Sequence, residues 1–277
     1  MIDASSLSRI LHRHPETGID PKSKIAQLTD QAIVDEIIKP YFDFAFGGAP
    51  MRMVDVGAAY GSVASVFFDA GWLVDAFEPD PTCRQILASR FTSNAPTLRI
   101  WPFAVDSVDR DTYTFVQNTT PGLSGLESSP FGSDQSRISI RTVRLDTFFK
   151  EHRIDNLAFL KIDTEGNDVD VLFSNDFGSL RPHIIFIEYS LYFPRQTVEL
   201  IDATLSKMKA HGYDCLVFEY NDFGNFGRGN WRHWLTRIHA NKPPSTDQNK
   251  PFGNILFYEQ GNTVFEDFFL QKLSLLR

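Results

Sequence analysis

Cysteine is scarce. The 277 residues hold only Cys83 and Cys215, which excludes a small domain stapled by disulfides. Both lie inside apolar patterns, so buried free thiols and a reducing, cytoplasmic setting are expected. Long apolar runs are also missing. The longest, around Ile184 to Ile187, is strand-sized and far short of the ~20 residues that span a bilayer. Met1 to Ile10 shows no basic segment followed by an apolar core, so no secretory signal is expected. Positive charge is in deficit: 27 Lys and Arg against 35 Asp and Glu give a formal charge of −8. Nothing supplies the clustered cations that neutralise phosphates, which argues against nucleic acid or an anionic membrane surface as partner.

What the chain does have is a globular composition, 42% apolar and 22% charged, on a length that can bury roughly 75% of its extended surface. Phenylalanine is over-used at 25 residues, which implies an aromatic core or a greasy pocket. From Met51 onward short apolar runs alternate with helix-period segments. Met51 to Val56, Trp72 to Phe77 and Leu98 to Trp101 read as strands, with helices over Ser62 to Ala70 and Asp80 to Phe91 between them. Leu157 to Ile162 and His183 to Glu188 resume the rhythm, flanked by helices over Gly166 to Phe173 and Gln196 to His211. Tyr213 to Glu219 and Asn254 to Glu259 are late strands. Such spacing predicts βαβ units and a largely parallel sheet covered on both faces.

Two stretches depart from the rhythm and read as insertions, at about 112–144 and 221–250. In the first, Thr119 to Ser136 is rich in Gly, Ser and Pro and is expected to be a loop or lid. The second carries Phe223, Phe226, Trp231 and Trp234, which suit either a core or a sugar-stacking wall, and also His233 and His239, of which a histidine such as His233 could serve as base. Residues 1–50 hold one amphipathic helix, Asp30 to Lys39, expected to break at Pro40 and to serve as a helical cover. The domain that carries chemistry is placed at 51–277.

The informative turn is Val54-Asp55-Val56-Gly57-Ala58-Ala59-Tyr60-Gly61, an apolar strand that ends in an acid and small residues. Gly57 allows a tight turn, and Ala58 and Ala59 let a ligand approach the backbone. The spacing is D-x-G-x-x-x-G, so the G-x-G-x-x-G pyrophosphate fingerprint fails. A second acid, Glu78, closes the next strand, where its carboxylate could accept both hydroxyls of a ribose. NAD would use an acid there too, but Asp55 would repel a pyrophosphate and suits an ammonium. S-adenosylmethionine offers an ammonium, a ribose and no phosphate. In Lys161-Ile162-Asp163-Thr164-Glu165-Gly166, period two puts Lys161 and Asp163 on one strand face, with Asp163 at its carboxyl end. Asp163, Glu165 and Glu188 then gather at the ligand-binding edge of the sheet, where one with a raised pKa could act as general base. Asp163 or Thr164 could equally cap the helix that follows. These carboxylates are hard oxygen ligands that would suit Mg²⁺, yet no spacing demands a metal and none is assigned.

At these residues the sequence resembles the FkbM-type S-adenosylmethionine-dependent methyltransferases. The blocks VDVGAAYG, VDAFEPD and FLKIDTEGNDVDVL carry the resemblance, in that order, with Val143-Arg144-Leu145-Asp146 before the third. It runs from Met51 to Tyr189, about half the chain. It implies a Rossmann-like α/β class I methyltransferase fold of seven strands, mostly parallel with one antiparallel edge strand. It also implies that Asp55, Gly57, Ala58 and Gly61 frame the methionine part of the cofactor, Glu78 the ribose and Asp106 the adenine side, with Asp163 near the methyl group. One departure is Ala59, where the family usually places Asn. The activity expected is O-methylation of a sugar hydroxyl on a polysaccharide, glycolipid or glycoside, with Asp163, Glu165 and Glu188 as catalytic candidates. A polyketide or other small-molecule acceptor is the alternative, as is a cofactor-binding protein without turnover. An NAD-linked oxidoreductase with a divergent turn is the competing class.

Overall fold

The computed structural model describes residues 23–91, 97–120, 122–222, 233–244 and 251–276. Two compact units share the chain: Pro50–Glu188, and a second made of the described residues up to Ala49 and from Tyr189 onward.

The first unit carries, in chain order, β1 (Arg52–Val56), β2 (Leu73–Phe77), β3 (Leu98–Trp101), β4 (Ala104–Val105), β5 (Arg110–Asn118), β6 (Asp134–Val143), β7 (Phe159–Ile162) and β8 (Ile184–Ser190). Five of these form a parallel array in the order β8-β7-β1-β2-β3. β1, β7 and β8 are buried almost throughout and have near-continuous apolar sequences, as parallel strands covered on both faces require, while β3 at the edge is half-buried. The chain first winds one way, from β1 to β3, and then returns on the other side of β1. The direction reverses between β1 and β7, and an open α/β sheet leaves its ligand crevice at that point. β4, β6 and β5 make a separate small sheet, β6 and most of β5 coming from the segment at about 112–144 expected to depart from the rhythm.

Helices Ser62–Asp69 and Pro81–Arg90 cross over between the first three strands. Phe67 and Phe159, 5.0 Å apart between ring centroids, pack with fully buried Trp72. The buried Asp75 on β2 lies beside Arg52 of β1 at 2.7 Å and Arg99 of β3 at 2.7 Å, and it accepts from Trp101 Nε1 at 3.0 Å. One carboxylate thus ties three neighbouring strands together, and with its partners in place the cost of burying its charge is offset.

The second unit contains the antiparallel set β9 (Tyr213–Asp222), β10 (His233–Ala240) and β11 (Phe252–Glu259), in the order β10-β9-β11. This is a correction to strand count: antiparallel pairing extends beyond the single edge strand expected. β10 falls in the second stretch read as an insertion, at about 221–250, where no strand was expected, because its polar residues mask the period-two pattern. Helix Thr263–Leu276 was likewise not anticipated. Pro40 does not break the N-terminal helix. A π-helical turn, Val34–Ile38, precedes it and Pro40 sits in the first turn of Lys39–Phe46, where a missing N–H costs little. Tyr41 stacks edge-on against Phe265, at 5.0 Å, and accepts a hydrogen bond from Asn262. Cys83 and Cys215 are both free and buried, as expected. Among the described residues no helix is long and apolar enough to cross a membrane.

Candidate active site

The strand ends beside the reversal point create a cleft. Gly57 follows β1 directly, Glu78 follows β2, and Asp163 follows β7, with its N–H donating to the Val56 carbonyl at 2.9 Å. Gly57 has φ +77°, and a Cβ there would lie 1.7 Å from the Asp163 carbonyl oxygen. Only glycine lets the ends of β1 and β7 come this close. The next turn residues bend back: Gly57 and Ala58 both donate to the Phe77 carbonyl, and Ala59 takes φ +45°, a left-handed conformation in which a side chain is strained.

Glu78 holds that turn. Its Oε2 accepts from Ala59 N at 2.7 Å and its Oε1 from Asp80 N at 2.8 Å. The carboxyl is only 6% exposed, and burial pushes its pKa up to about 7 despite the two backbone donors. Each oxygen keeps a second lone pair for a ligand hydroxyl.

The cleft is lined by Gly57, Ala59 and Glu78 on one side and by Asp163, Thr164, Glu165 and Asn167 on the other. Apolar Val105, Phe115 and Leu126 close one wall. Atom-free space in it, open mouth included, comes to about 630 Å³. Asp163, Glu165 and Glu188 each place a carboxylate oxygen within 4.8 Å of the others. That reach would also suit a hard divalent cation, and no metal is assigned to it.

Charge around this cluster is unevenly balanced. Lys161 Nζ is 3.0 Å from Asp163 Oδ2 and 3.7 Å from Asp55 Oδ1. Burial first, then the neighbouring charges of Asp163 and Asp168, hold the Glu165 proton well above the usual carboxylate range. Glu165 also has a left-handed backbone, φ +55°. Asp168, fully buried, accepts from Thr164 N at 2.8 Å and Gly166 N at 3.1 Å, which clamps the turn, and burial lifts its own pKa to about 6.

Of the residues singled out from sequence, Gly57, Glu78, Asp163 and Glu165 line the cleft together. Glu188 joins the carboxylate cluster from within β8, whose strand runs two residues past it. Asp55 is fully buried on β1, in register with Lys161 of β7, and is not among the lining residues. Burial raises its pKa, with Lys161 opposing. Ala58 is buried, and Gly61 opens helix Ser62–Asp69 at φ +77°, where a Cβ would come 2.3 Å from Leu87 Cδ1. Asp106 is an ion-pair partner of Arg110 and accepts from Ser107 N and from Asn167 Nδ2 at 3.2 Å; it reaches the cleft only through Asn167. Sequence reasoning missed Asn167, Ser124, Phe115 and Leu126 as lining residues, since nothing local marks contacts made across the fold. Trp231, Phe223 and Phe226 lie outside the described residues, as do the side chains of His233 and Trp234. His239 lies in the other unit, 3.2 Å from buried Glu219.

Residues 55–215 match the family described as methyltransferase FkbM domain. No curated protein matches the chain. Among solved structures, similarity extends to the precorrin-6y C5,15-methyltransferase of Geobacter metallireducens, 11% identical over 76% of this chain and 82% of that one, with a TM-score of 0.38. The precorrin 8W decarboxylase of Methanobacterium thermoautotrophicum is 12% identical over 80% and 88%, with a TM-score of 0.38. The fibrillarin pre-rRNA processing protein of Methanococcus jannaschii is 11% identical over 70% and 67%, with a TM-score of 0.37.

Proposed function

Because the chain belongs to the FkbM methyltransferase family, with its mostly parallel Rossmann-like α/β sheet, we propose that it methylates a hydroxyl on a sugar, using the cleft beside β1 and β7. S-adenosylmethionine supplies an electrophilic methyl group when bound. The donor set fits that cofactor: an acid at the end of β2 for a ribose diol, several carboxylates for a cation and, among the described residues, nothing basic in the cleft lining to welcome a phosphate. Glu78 would hold the ribose hydroxyls. Gly57 and Ala59 would present backbone to the methionine part, and Asn167, Phe115 and Leu126 would flank the base.

The observation that carries the proposal is the meeting of Asp163, Glu165 and Glu188 within 4.8 Å at the rim of this cleft. An acceptor alcohol has to be aimed at the methyl carbon and has to lose its proton. Asp163, neutralised by Lys161, is suited to accept a hydrogen bond from that alcohol and orient it. Glu165 binds a proton more tightly than an ordinary carboxylate, which makes it the stronger base. Glu188 offers a further acceptor for a neighbouring hydroxyl. Several hydroxyls side by side are what distinguishes a sugar from a simple phenol.

The test is a methyl-transfer screen with labelled donor over nucleotide sugars, glycolipids and small phenols. Transfer to a sugar is expected, with an acid limb in kcat/KM for the acceptor that, at saturating donor, lies above the ordinary carboxylate range and vanishes in Glu165→Gln. Transfer confined to phenols would overturn the sugar assignment. A wild-type pH profile in Glu165→Gln would remove that residue as base.

A further inference from the structure

One wall of the cleft comes from the loop between β5 and β6, through Gly122, Ser124, Gly125 and Leu126. This strap is fastened. Gly125 and Val116 exchange backbone hydrogen bonds at 3.1 and 2.8 Å. A Cβ on Gly125 would lie 3.4 Å from the Thr164 carbonyl oxygen and 3.5 Å from that of Glu165, so the strap backbone rests on the turn that presents the acids. Leu126 packs on the small apolar cluster of Ala104, Phe115 and Ile140. Polar attachments add to these: Ser124 Oγ accepts from Asn118 N at 3.1 Å and donates to Asp80 Oδ2 at 2.8 Å, the bond that ties the strap to the end of β2.

Asp80 is placed to make that bond count. It is 4% exposed and caps helix Pro81–Arg90 with Oδ1, which accepts from Thr82 N at 2.8 Å. A cap needs a single oxygen. The other one goes to the strap, while the backbone N–H of Asp80 donates to Glu78. Asp80 therefore joins the acid at the end of β2 to the segment that closes the cleft beside it.

We propose that Asp80 is a positioning residue for donor binding, which through Ser124 holds the Gly122–Leu126 strap against the cleft and slows escape of S-adenosylmethionine. The proposal rests on the reading that this cleft takes that donor. Its consequence is kinetic. A strap that is latched around a bound molecule adds to the barrier for leaving, whereas arrival occurs while it is open.

The experiment is stopped-flow release of S-adenosylmethionine, chased with S-adenosylhomocysteine, on the full chain. Ser124→Ala leaves the helix cap intact and removes the latch together with the hydrogen bond from Asn118 N; losing a hydrogen bond to a charged group should speed release by about 10-fold, with association changed less than about 2-fold. Asp80→Ser retains a capping oxygen and should speed release equally. The double variant should release no faster than Ser124→Ala, because that change already removes the bond that Asp80→Ser removes. Unchanged release from Ser124→Ala, or effects that multiply in the double variant, would overturn the strap. Failure of the wild-type protein to bind the donor would instead overturn the assignment of the cleft, so the two failures are distinguishable.

Discussion

Glu78 illustrates how one side chain can do structural and ligand-binding work at once. Its two hydrogen bonds to Ala59 and Asp80 shape the first turn, and its spare lone pairs face the cleft. Replacing Glu78 by Ala should weaken donor binding by about 1–3 kcal/mol, the usual cost of losing charged hydrogen bonds, as read by titration calorimetry. The pH dependence is sharper. With the carboxyl titrating at about 7, the ionised form that accepts two hydroxyls and attracts a cation is mostly present at pH 8 and mostly absent at pH 6. Donor affinity should therefore fall between pH 8 and 6. Glu78→Gln should bind more weakly at pH 8 and lose most of that slope. A slope that survives in Glu78→Gln would assign the titration to another carboxyl and sever Glu78 from the ribose.

At the level of elements, the meeting of β1 and β7 depends on one missing side chain. Gly57→Ala would drive a methyl group to 1.7 Å from the Asp163 carbonyl and would also force a left-handed φ on a residue with a Cβ. Separation of the two strand ends should cost about 3–5 kcal/mol of stability and abolish donor binding, measured by denaturant unfolding and calorimetry. Wild-type stability in that variant would mean the close approach is not real. This junction was legible in the sequence: apolar runs spaced by helices gave the parallel order, and Asp-x-Gly after the first run gave the turn. The acids at the ends of β2 and β7 followed from the same logic, as strand length and period fix which residue ends a strand. β10 was not legible, because the polar residues within His233–Ala240 imitate a loop. The strap was half legible. Its Gly, Ser and Pro content announced a loop, but the bond from Ser124 to Asp80 joins residues 44 apart, and only tertiary packing decides such a pair. Asp55 was placed on the correct strand end by sequence, yet its burial beside Lys161 follows from the register of β1 with β7, which composition does not reveal.

Across the whole molecule, the raised carboxyl groups set how stability should vary with pH. Glu78 moves from 4.5 to about 7 and Asp168 from 3.8 to about 6. Asp55, Glu165 and Glu266 are raised too, each chiefly by burial. In each case the folded chain keeps protons that the unfolded chain has already released, so stability falls as pH rises through the interval between the two pKa values. For Glu78 alone the full interval is worth on the order of 3 kcal/mol. Asp176 is shifted the other way, by hydrogen bonds from Ser179, and its contribution disappears only in acid, below this window. The protein with no donor should thus melt at lower temperature at pH 8 than at pH 6. Adding S-adenosylmethionine should reverse part of that loss, since a cation with two hydroxyls favours the ionised carboxyls, and a ligand bound only to the folded state stabilises by mass action. The thermal shift on adding donor should therefore be larger at pH 8 than at pH 6, at equal concentration. Scanning fluorimetry from pH 5.5 to 8.5 reads both trends. A melting temperature without donor that climbs across this range would overturn the raised carboxyl groups as the source of the pH dependence, and a donor shift that shrinks towards pH 8 would remove the ionised carboxyls from the binding site.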